Sequence, residues 1–308
     1  NVLKTEGNFN NEIGLPLTIF NIREEHEVAV LEMGISDFGE MERLAKMARP
    51  DVCVLTNIGC AHLEQLKSRE GILKAKTEMF LYMNPKGDII LNGDDDMLAS
   101  VTPANHIEPV FFGLDPALAY SAEDIENLGL KGTSALFHTP DSEFGAHISI
   151  PGAHMVYNAL AAIAVGRVLG MNDGEIRQGI ESLVPLAGRN NLIETEFLTI
   201  IDDCYNANPA SMKASLDVLS KAKGHTVAIL GDMFELGPKA HEMHCETGEF
   251  AAEAGIDELI CIGYLSEDIA RGAVSANPEM EVHHFDTKTE FLDHIDTLIN
   301  KDDTILVK

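Results

Sequence analysis

Short runs of apolar, mostly β-branched residues alternate along the chain with longer segments whose apolar residues recur at helical spacing. Residues 28–33 (VAVLEM) and 52–57 (VCVLTN) predict two strands buried on both faces, with an amphipathic helix over 38–48 between them. A further helix is predicted over 68–83, followed by a strand over 88–92. This βαβαβ order is typical of a parallel sheet with helices on its faces.

The pattern changes after this first α/β unit. Residues 134–138 and 146–150 predict a β-hairpin, and two helices are predicted after it, over 153–170 and 173–183. Residues 185–189 (PLAGR) have the small, turn-forming composition of a linker.

Beyond the linker the alternation of strands and helices restarts and predicts a second α/β unit of ordinary domain size. Its predicted strands are 198–202, 227–230, 259–262, 282–285 and 304–307, and its predicted helices are 210–222, 240–254, 266–276 and 287–300. The chain begins and stops with residues that read as parts of strands, so the sequence is predicted to be a piece of a longer protein.

Composition and charge narrow the possible partners. The 308 residues carry 22 Lys and Arg against 50 Asp and Glu, a net charge of −28, and basic residues do not cluster. Nucleic-acid binding needs a basic face, so it is not expected. No apolar run is long enough for membrane insertion, and the five scattered cysteines without a CxxC pair predict reduced thiols in a cytoplasmic protein.

Polar residues follow several predicted strands, at the edge of a parallel sheet where ligands usually bind. Glu32 and His62 follow the first two strands, and one carboxylate with one imidazole suits a magnesium site completed by water and phosphate oxygens. A capping glutamate and an ordinary loop histidine are the alternatives. Residues 202–209 and 231–237 follow strands of the second unit, and a cleft between the two sheets is expected.

Other candidate residues are single polar groups, each with an ordinary structural explanation beside the functional one. Lys76 lies in the helix over 68–83, where a lysine is usually solvated. Asn158, in an apolar helix, could contact a base edge or cap a backbone group, and Arg189 could bind a phosphate or simply be solvated. The sequence contains no G-x-x-x-x-G-K-[ST] loop for cradling phosphates.

Taken together, these stretches resemble the Mur ligases, the ATP-dependent amino-acid and peptide ligases of bacterial cell-wall synthesis. The most specific matches are residues 7–16 (GNFNNEIGLP), 202–209 (DDCYNANP) and 231–237 (GDMFELG). They are most similar to the branch that adds D-alanyl-D-alanine to a UDP-N-acetylmuramoyl-tripeptide. The resemblance implies an α/β fold: a P-loop-type central domain over 1–186, truncated at its N-terminus, and a Rossmann-like domain over 187–308, truncated at its C-terminus.

The resemblance also implies a role for each candidate residue. Glu32 and His62 would bind magnesium, and Lys76 would be carbamylated so that its added carboxylate binds a second magnesium ion. Asn158 would contact the adenine of ATP, Asp203 the ribose and Arg189 the γ-phosphate. The implied catalytic residues are Lys76, His62 and Arg189, and the implied substrate-binding residues are Asn10, Asn11, Asn206, Asn208, Asp232 and Glu235. Met155 departs from the family, which usually has asparagine there.

The implied reaction is amide formation through an acyl phosphate, by a monomer without nucleic-acid partners. The substrates would be ATP, the UDP-N-acetylmuramoyl-tripeptide and D-alanyl-D-alanine, and the 308 residues alone are expected to be inactive. A sister Mur ligase, an enzyme like folylpolyglutamate synthase and a non-catalytic binding module are the alternatives.

Overall fold

The computed structural model of the protein describes residues 1–60 and 62–308. These residues form two compact units. The first contains 1–121, 138–141 and 160–172, and the second contains 122–137, 142–159 and 173–308. The domain boundary predicted between 186 and 187 stays a prediction.

The elements alternate between strands and helices through most of the chain. The strands up to residue 148 are β1 (Val2–Lys4), β2 (Val28–Val30), β3 (Val52–Leu55), β4 (Asp88–Asn92), β5 (Val110–Gly113), β6 (Tyr120–Asn127), β7 (Thr133–His138) and β8 (Glu143–Ile148). The helices up to residue 181 are α1 (Gly14–Ile19), α2 (Glu40–Ala48), α3 (Leu63–Leu66), α4 (Arg69–Thr77), α5 (Met155–Val168) and α6 (Asp173–Glu181).

The C-terminal part continues the same alternation. Its strands are β9 (Asn191–Glu194), β10 (Thr199–Asp202), β11 (Thr226–Gly231), β12 (Glu258–Ile262), β13 (Glu281–Phe285) and β14 (Thr304–Val307). Its helices are α7 (Pro209–Ser220), α8 (Ala240–Glu253), α9 (Ser266–Ala276) and α10 (Lys288–Leu298).

The C-terminal sheet confirms the predicted parallel α/β unit. Its strand order is β13-β12-β11-β14-β10-β9, and every pair is parallel except β9 with β10. Apolar residues alternate between its two faces, as the period of two in a strand requires. Ala228 and Leu230 join the core cluster on one face, whereas Val227 and Ile229 pack in a second cluster with Phe291 of α10.

The N-terminal strands depart from the predicted βαβαβ sheet. Strands β3, β4, β5 and the start of β6 pair in parallel, but β2 pairs with β1 in a separate two-stranded parallel sheet. The prediction that 28–33 is a strand buried on both faces is therefore wrong. The strand ends at Val30, whose surface is 55% exposed, and β1 supplies its hydrogen-bonding partners.

Two further differences concern element boundaries. The helix predicted over 68–83 ends at Thr77 and continues as a 3-10 helix over Glu78–Tyr82. The predicted hairpin strands are found as β7 and β8, with β8 beginning three residues earlier than predicted, and strands β5, β6 and β9 were not predicted. In the part of the chain that the structure describes, every helix is too short or too polar to cross a membrane.

Candidate active-site residues

Glu32 follows β2 and is held by the segment before α1. Its side chain is exposed, and its Oε1 accepts a hydrogen bond of 2.9 Å from Asn10 Nδ2. Its backbone N–H donates to Thr5 Oγ1 at 2.9 Å. A Cβ at Gly34 would stand 2.8 Å from Asn10 Nδ2, so glycine leaves room for the asparagine that orients this carboxylate. Asn10 was predicted to bind substrate, and its contact with Glu32 was missed.

Lys76 lies on α4, which begins at the Ser68 cap, where Ser68 Oγ accepts the Gly71 N–H at 3.2 Å. The ordinary expectation of a solvated lysine is wrong, because the side chain is half-buried and this burial lowers the pKa of its ammonium. The charge of Glu32 acts in the opposite direction on that pKa. A lysine with a lowered pKa is a better nucleophile toward carbon dioxide.

His62 directly precedes α3 as its N-cap residue, has a left-handed backbone conformation with φ 62° and is half-buried. Ala61, which precedes it, lies outside the described residues. The expectation that Glu32 and His62 end adjacent strands is wrong, because β2 pairs with β1 and β3 pairs with β4. A shared ion between Glu32 and His62 stays a prediction.

The donor chemistry of these residues fits magnesium. Asn10 occupies one oxygen of Glu32, while the carboxylate as a whole remains exposed to solvent and able to meet a hydrated cation. Carboxylate oxygens and water are the ligands that Mg²⁺ prefers, and carbamylation would give Lys76 an oxygen ligand of the same kind.

Asp203 is the centre of a buried polar network behind β10. Its Oδ2 accepts hydrogen bonds from Ser215 Oγ at 2.6 Å and from Lys308 Nζ at 2.5 Å, and its Oδ1 accepts the Asn190 N–H at 3.1 Å. The side chains of Lys308 and Asp203 are only 2% and 10% exposed. Ser215 and Lys308 were missed, although a lysine at the end of an apolar strand could have suggested a buried partner. The ribose contact of Asp203 stays a prediction.

His154 is a second residue near this network that the sequence did not single out. Burial lowers the pKa of its imidazole, while Asp203 acts to raise that pKa and Lys308 to lower it. The histidine is therefore neutral near pH 7 and can serve as a hydrogen-bonding group rather than as a cation.

Arg189 lies exposed in the predicted linker, and its guanidinium stacks over the ring of Tyr205 at 4.0 Å from the centroid. Nearby, the Gly188 N–H donates to Asp202 Oδ2 at 2.8 Å. The linker is thereby tied to the segment that follows β10. Stacking leaves the guanidinium N–H groups in the plane of the fork, where they can still bind an anion.

Asn11 and Asn208 were predicted to bind substrate, and the side-chain oxygens of both accept backbone N–H groups where a helix begins. Asn11 Oδ1 accepts the N–H groups of Ile13 and Gly14 at the start of α1. Asn208 forms a capping box with Ser211 at the start of α7. These contacts give each asparagine a structural role, and substrate contacts stay predictions.

Three other candidates are exposed. Asn206 is exposed, and its Oδ1 accepts the N–H of the next residue, Ala207, at 2.8 Å. Asn158 is exposed on α5, with its Nδ2 at 3.3 Å from Met155 Sδ. Glu235 is exposed in a left-handed conformation with φ 61°.

The segment 231–237 is fixed by two neighbouring helices. Asp232 Oδ1 accepts the N–H of Ser266, the first residue of α9, at 2.7 Å. His244 of α8 accepts the Met233 N–H on Nε2 at 2.9 Å and donates from Nδ1 to the Ala240 carbonyl at 2.6 Å. Both nitrogens of this buried histidine therefore have partners, so the loop is rigid at Met233.

Comparison with known proteins covers nearly the whole chain. The Mur ligase middle domain matches residues 1–166, and the Mur ligase, glutamate ligase domain matches residues 188–308. The UDP-N-acetylmuramoyl-tripeptide–D-alanyl-D-alanine ligase of Bacillus subtilis is 37% identical over 310 residues, which is 100% of this chain and 66% of that protein.

Solved structures give the same result. The crystal structure of MurF from Acinetobacter baumannii is similar with a TM-score of 0.91 and 32% identity, over 100% of this chain and 67% of that one. MurF ligase from Thermotoga maritima in complex with ADP is similar with a TM-score of 0.85 and 31% identity, over 100% of this chain and 69% of that one. The chain spans about two thirds of the length of these relatives. It belongs to the Mur ligase family.

Proposed function

We propose that these residues form part of an ATP-dependent ligase of peptidoglycan precursor synthesis, which adds D-alanyl-D-alanine to a UDP-N-acetylmuramoyl-tripeptide. Curated relatives with this name match the whole chain, and a solved relative carries ADP. The observation that carries the proposal is the half-buried position of Lys76 on α4, where burial lowers the pKa of its ammonium. Lysines whose pKa is lowered by burial are enriched at functional sites, which supports the proposal.

Lys76 would act after modification by carbon dioxide. Its neutral amine attacks the carbon of CO₂ and loses a proton, and the product is a carbamate with one negative charge. The modification replaces a poorly solvated cation by an anion that can bind a metal ion. Glu32, oriented by Asn10, would supply the second carboxylate, and His62 an imidazole ligand.

The reaction itself joins a carboxylate to an amine at the expense of ATP. The substrate carboxylate takes the γ-phosphoryl group to form an acyl phosphate, the amine of the dipeptide attacks the acyl carbon, and phosphate leaves. When bound, Mg²⁺ would screen the repulsion between the two anions in the first step. Arg189 would bind a phosphate oxygen with its planar fork, and Asn158 and Asp203 would hold the nucleoside.

The buried contacts of the 231–237 loop would keep its polar residues in a fixed position for the incoming dipeptide. Asp232 is held by α9, and the backbone of Met233 is held by His244. A fixed loop pays less entropy when a small substrate binds. We also expect a cytoplasmic location, since all five cysteines are free thiols.

The test compares the protein encoded by the complete reading frame with the 308 residues alone. Each is incubated with ATP, Mg²⁺, the UDP-N-acetylmuramoyl-tripeptide and either D-alanyl-D-alanine, diaminopimelate or glutamate, and products are identified by mass spectrometry. We expect a pentapeptide product from the complete protein only with the dipeptide. The 308 residues, which contain no phosphate-loop motif, should give little turnover.

Lys76→Met should reduce kcat of the complete protein by at least about tenfold, whereas Lys74→Met, at an exposed site on the same helix, should not. Use of diaminopimelate or glutamate in place of the dipeptide would assign the protein to a sister ligase or to folylpolyglutamate chemistry. Absence of ligation with every amine would favour the binding module.

A further inference from the structure

Glu258, Glu281 and His283 form a cluster on two neighbouring strands of the C-terminal sheet. Glu258 is the first residue of β12, and it lies directly opposite Glu281, the first residue of β13. His283 is two residues further along β13, so its side chain is on the same face as that of Glu281. One nitrogen or oxygen atom from each of the three side chains lies within 4.8 Å of the other two.

One carboxylate oxygen of the buried member of this cluster lacks a hydrogen-bond donor among the described residues. Glu258 is 3% exposed, and within 1–60 and 62–308 no donor reaches its buried Oε1. Burial raises the pKa of this carboxyl, and the charge of Glu281 raises it further, against the opposing effects of His283 and His225. A buried carboxylate without a donor is unfavourable, and a bound cation would remove that penalty.

We propose that Glu258, Glu281 and His283 bind one divalent transition-metal ion, for which Zn²⁺ is the fitting probe. His283 Nε2 is 3.1 Å from Glu281 Oε1 and 3.6 Å from Glu258 Oε1. Zinc ligands at about 2.0–2.1 Å place tetrahedral ligand atoms about 3.3 Å apart, so small adjustments suffice. Imidazole with carboxylates favours zinc over magnesium, which prefers oxygen ligands and water.

The position of the cluster separates it from the residues proposed for ligation. Glu258 and Glu281 stand at the amino ends of their strands, whereas Asp203 and Asp232 follow the carboxyl ends of β10 and β11 in the same sheet. The side chain of Glu281 is 63% exposed, which gives an ion access from solvent. Because β13 is the edge strand of this sheet, the bound ion would fasten the edge to β12.

The test titrates the 308-residue protein with ZnCl₂ by isothermal calorimetry and repeats the titration with Glu281→Gln and His283→Gln. We expect one equivalent of Zn²⁺ whose affinity falls at least about tenfold in either variant. His241→Gln is the matched control, because His241 also contacts a carboxylate, that of Asp268. Glu32→Gln removes a ligand of the proposed magnesium site and should leave this equivalent intact.

Both test variants change partly exposed side chains, so they are expected to fold, and thermal unfolding in EDTA should match that of the unchanged protein. Titration with Co²⁺ gives a spectroscopic signal from the same site, with visible absorption that His283→Gln should abolish. A dissociation constant for Zn²⁺ above about 1 mM would overturn the proposal. So would an equivalent that survives in both Glu281→Gln and His283→Gln.

Discussion

Two carboxylates predicted to serve the same reaction have opposite surroundings. Glu32 is exposed, with one side-chain donor, Asn10, on its Oε1. Asp203 is buried, and its two oxygens accept hydrogen bonds from Ser215, Lys308 and a backbone N–H. An exposed carboxylate with one donor can exchange water for a ligand at little cost, whereas a buried one with three donors also holds its neighbours in place.

The two lysines differ in the same way. Lys308 is paired with Asp203, so its charge is compensated within the fold. Lys76 is half-buried with a lowered pKa, so the fold disfavours its charged form. The first arrangement compensates a buried charge, and the second is the one that the proposed function of Lys76 requires, at some cost in stability.

The largest expected effect comes from breaking the buried pair. Lys308→Met leaves the Asp203 carboxylate buried without its cation and should lower the free energy of unfolding by about 3–5 kcal/mol, measured in urea. Glu246→Gln breaks the exposed Lys213–Glu246 pair and is the control, with an expected change below about 1 kcal/mol. Equal losses in the two variants would show that burial does not distinguish these pairs.

A smaller effect separates the hydrogen bonds made by the two carboxylates. Ser215→Ala removes a buried donor to Asp203 and should cost about 1.5–3 kcal/mol. Asn10→Ala removes the donor to exposed Glu32 and should change stability by no more than about 0.5 kcal/mol. Urea unfolding measures both, and a larger loss for Asn10→Ala would contradict the comparison.

The effect of Lys76 on stability depends on pH. The pKa of Lys76 is lowered in the folded protein, so the unfolded chain binds more protons between that lowered pKa and the ordinary value of 10.5. The free energy of unfolding should therefore rise with pH across this range. Lys76→Met should flatten this rise, and Lys74→Met should preserve it. The free energy of unfolding is measured by urea titration between pH 7 and 10. If it rises equally with pH in both variants, the rise does not come from Lys76.

The smallest expected effect concerns acid pH. Burial lowers the pKa of His244, so its stabilising neutral form is fully present above the unfolded value of about 6.5 and is lost as pH falls below it. His244→Gln should reduce this dependence in urea unfolding at pH 4–7. An unchanged dependence would assign the acid sensitivity to other groups.

The sequence predicted the C-terminal sheet well because its strands are short apolar runs between helices with clear periodicity. It failed at β2, where the apolar run continues past Val30 but the partner strand, β1, is not the expected one. The spacing of apolar residues identifies a strand, but it does not identify the strand with which it pairs.

The site residues show the same limit. Glu32 and Lys76 were singled out from the sequence, and their sharing of metal ions with His62 stays a prediction. The contact of Asn10 with Glu32 and that of Lys308 with Asp203 were missed. The first pair is 22 positions apart in the chain and the second is 105 positions apart, so sequence spacing does not reveal either contact. The exposed or capping surroundings of Asn11 and Asn208 also depend on local backbone geometry that spacing does not fix.

The most direct test of the central claim is ¹³C NMR of the protein in ¹³C-bicarbonate, which detects a carbamate on a neutral lysine. We expect a carbamate signal that Lys76→Met abolishes and that Lys74→Met, on the same helix, retains. A spectrum without a carbamate signal, or one in which the signal survives in Lys76→Met, would contradict the role assigned to Lys76.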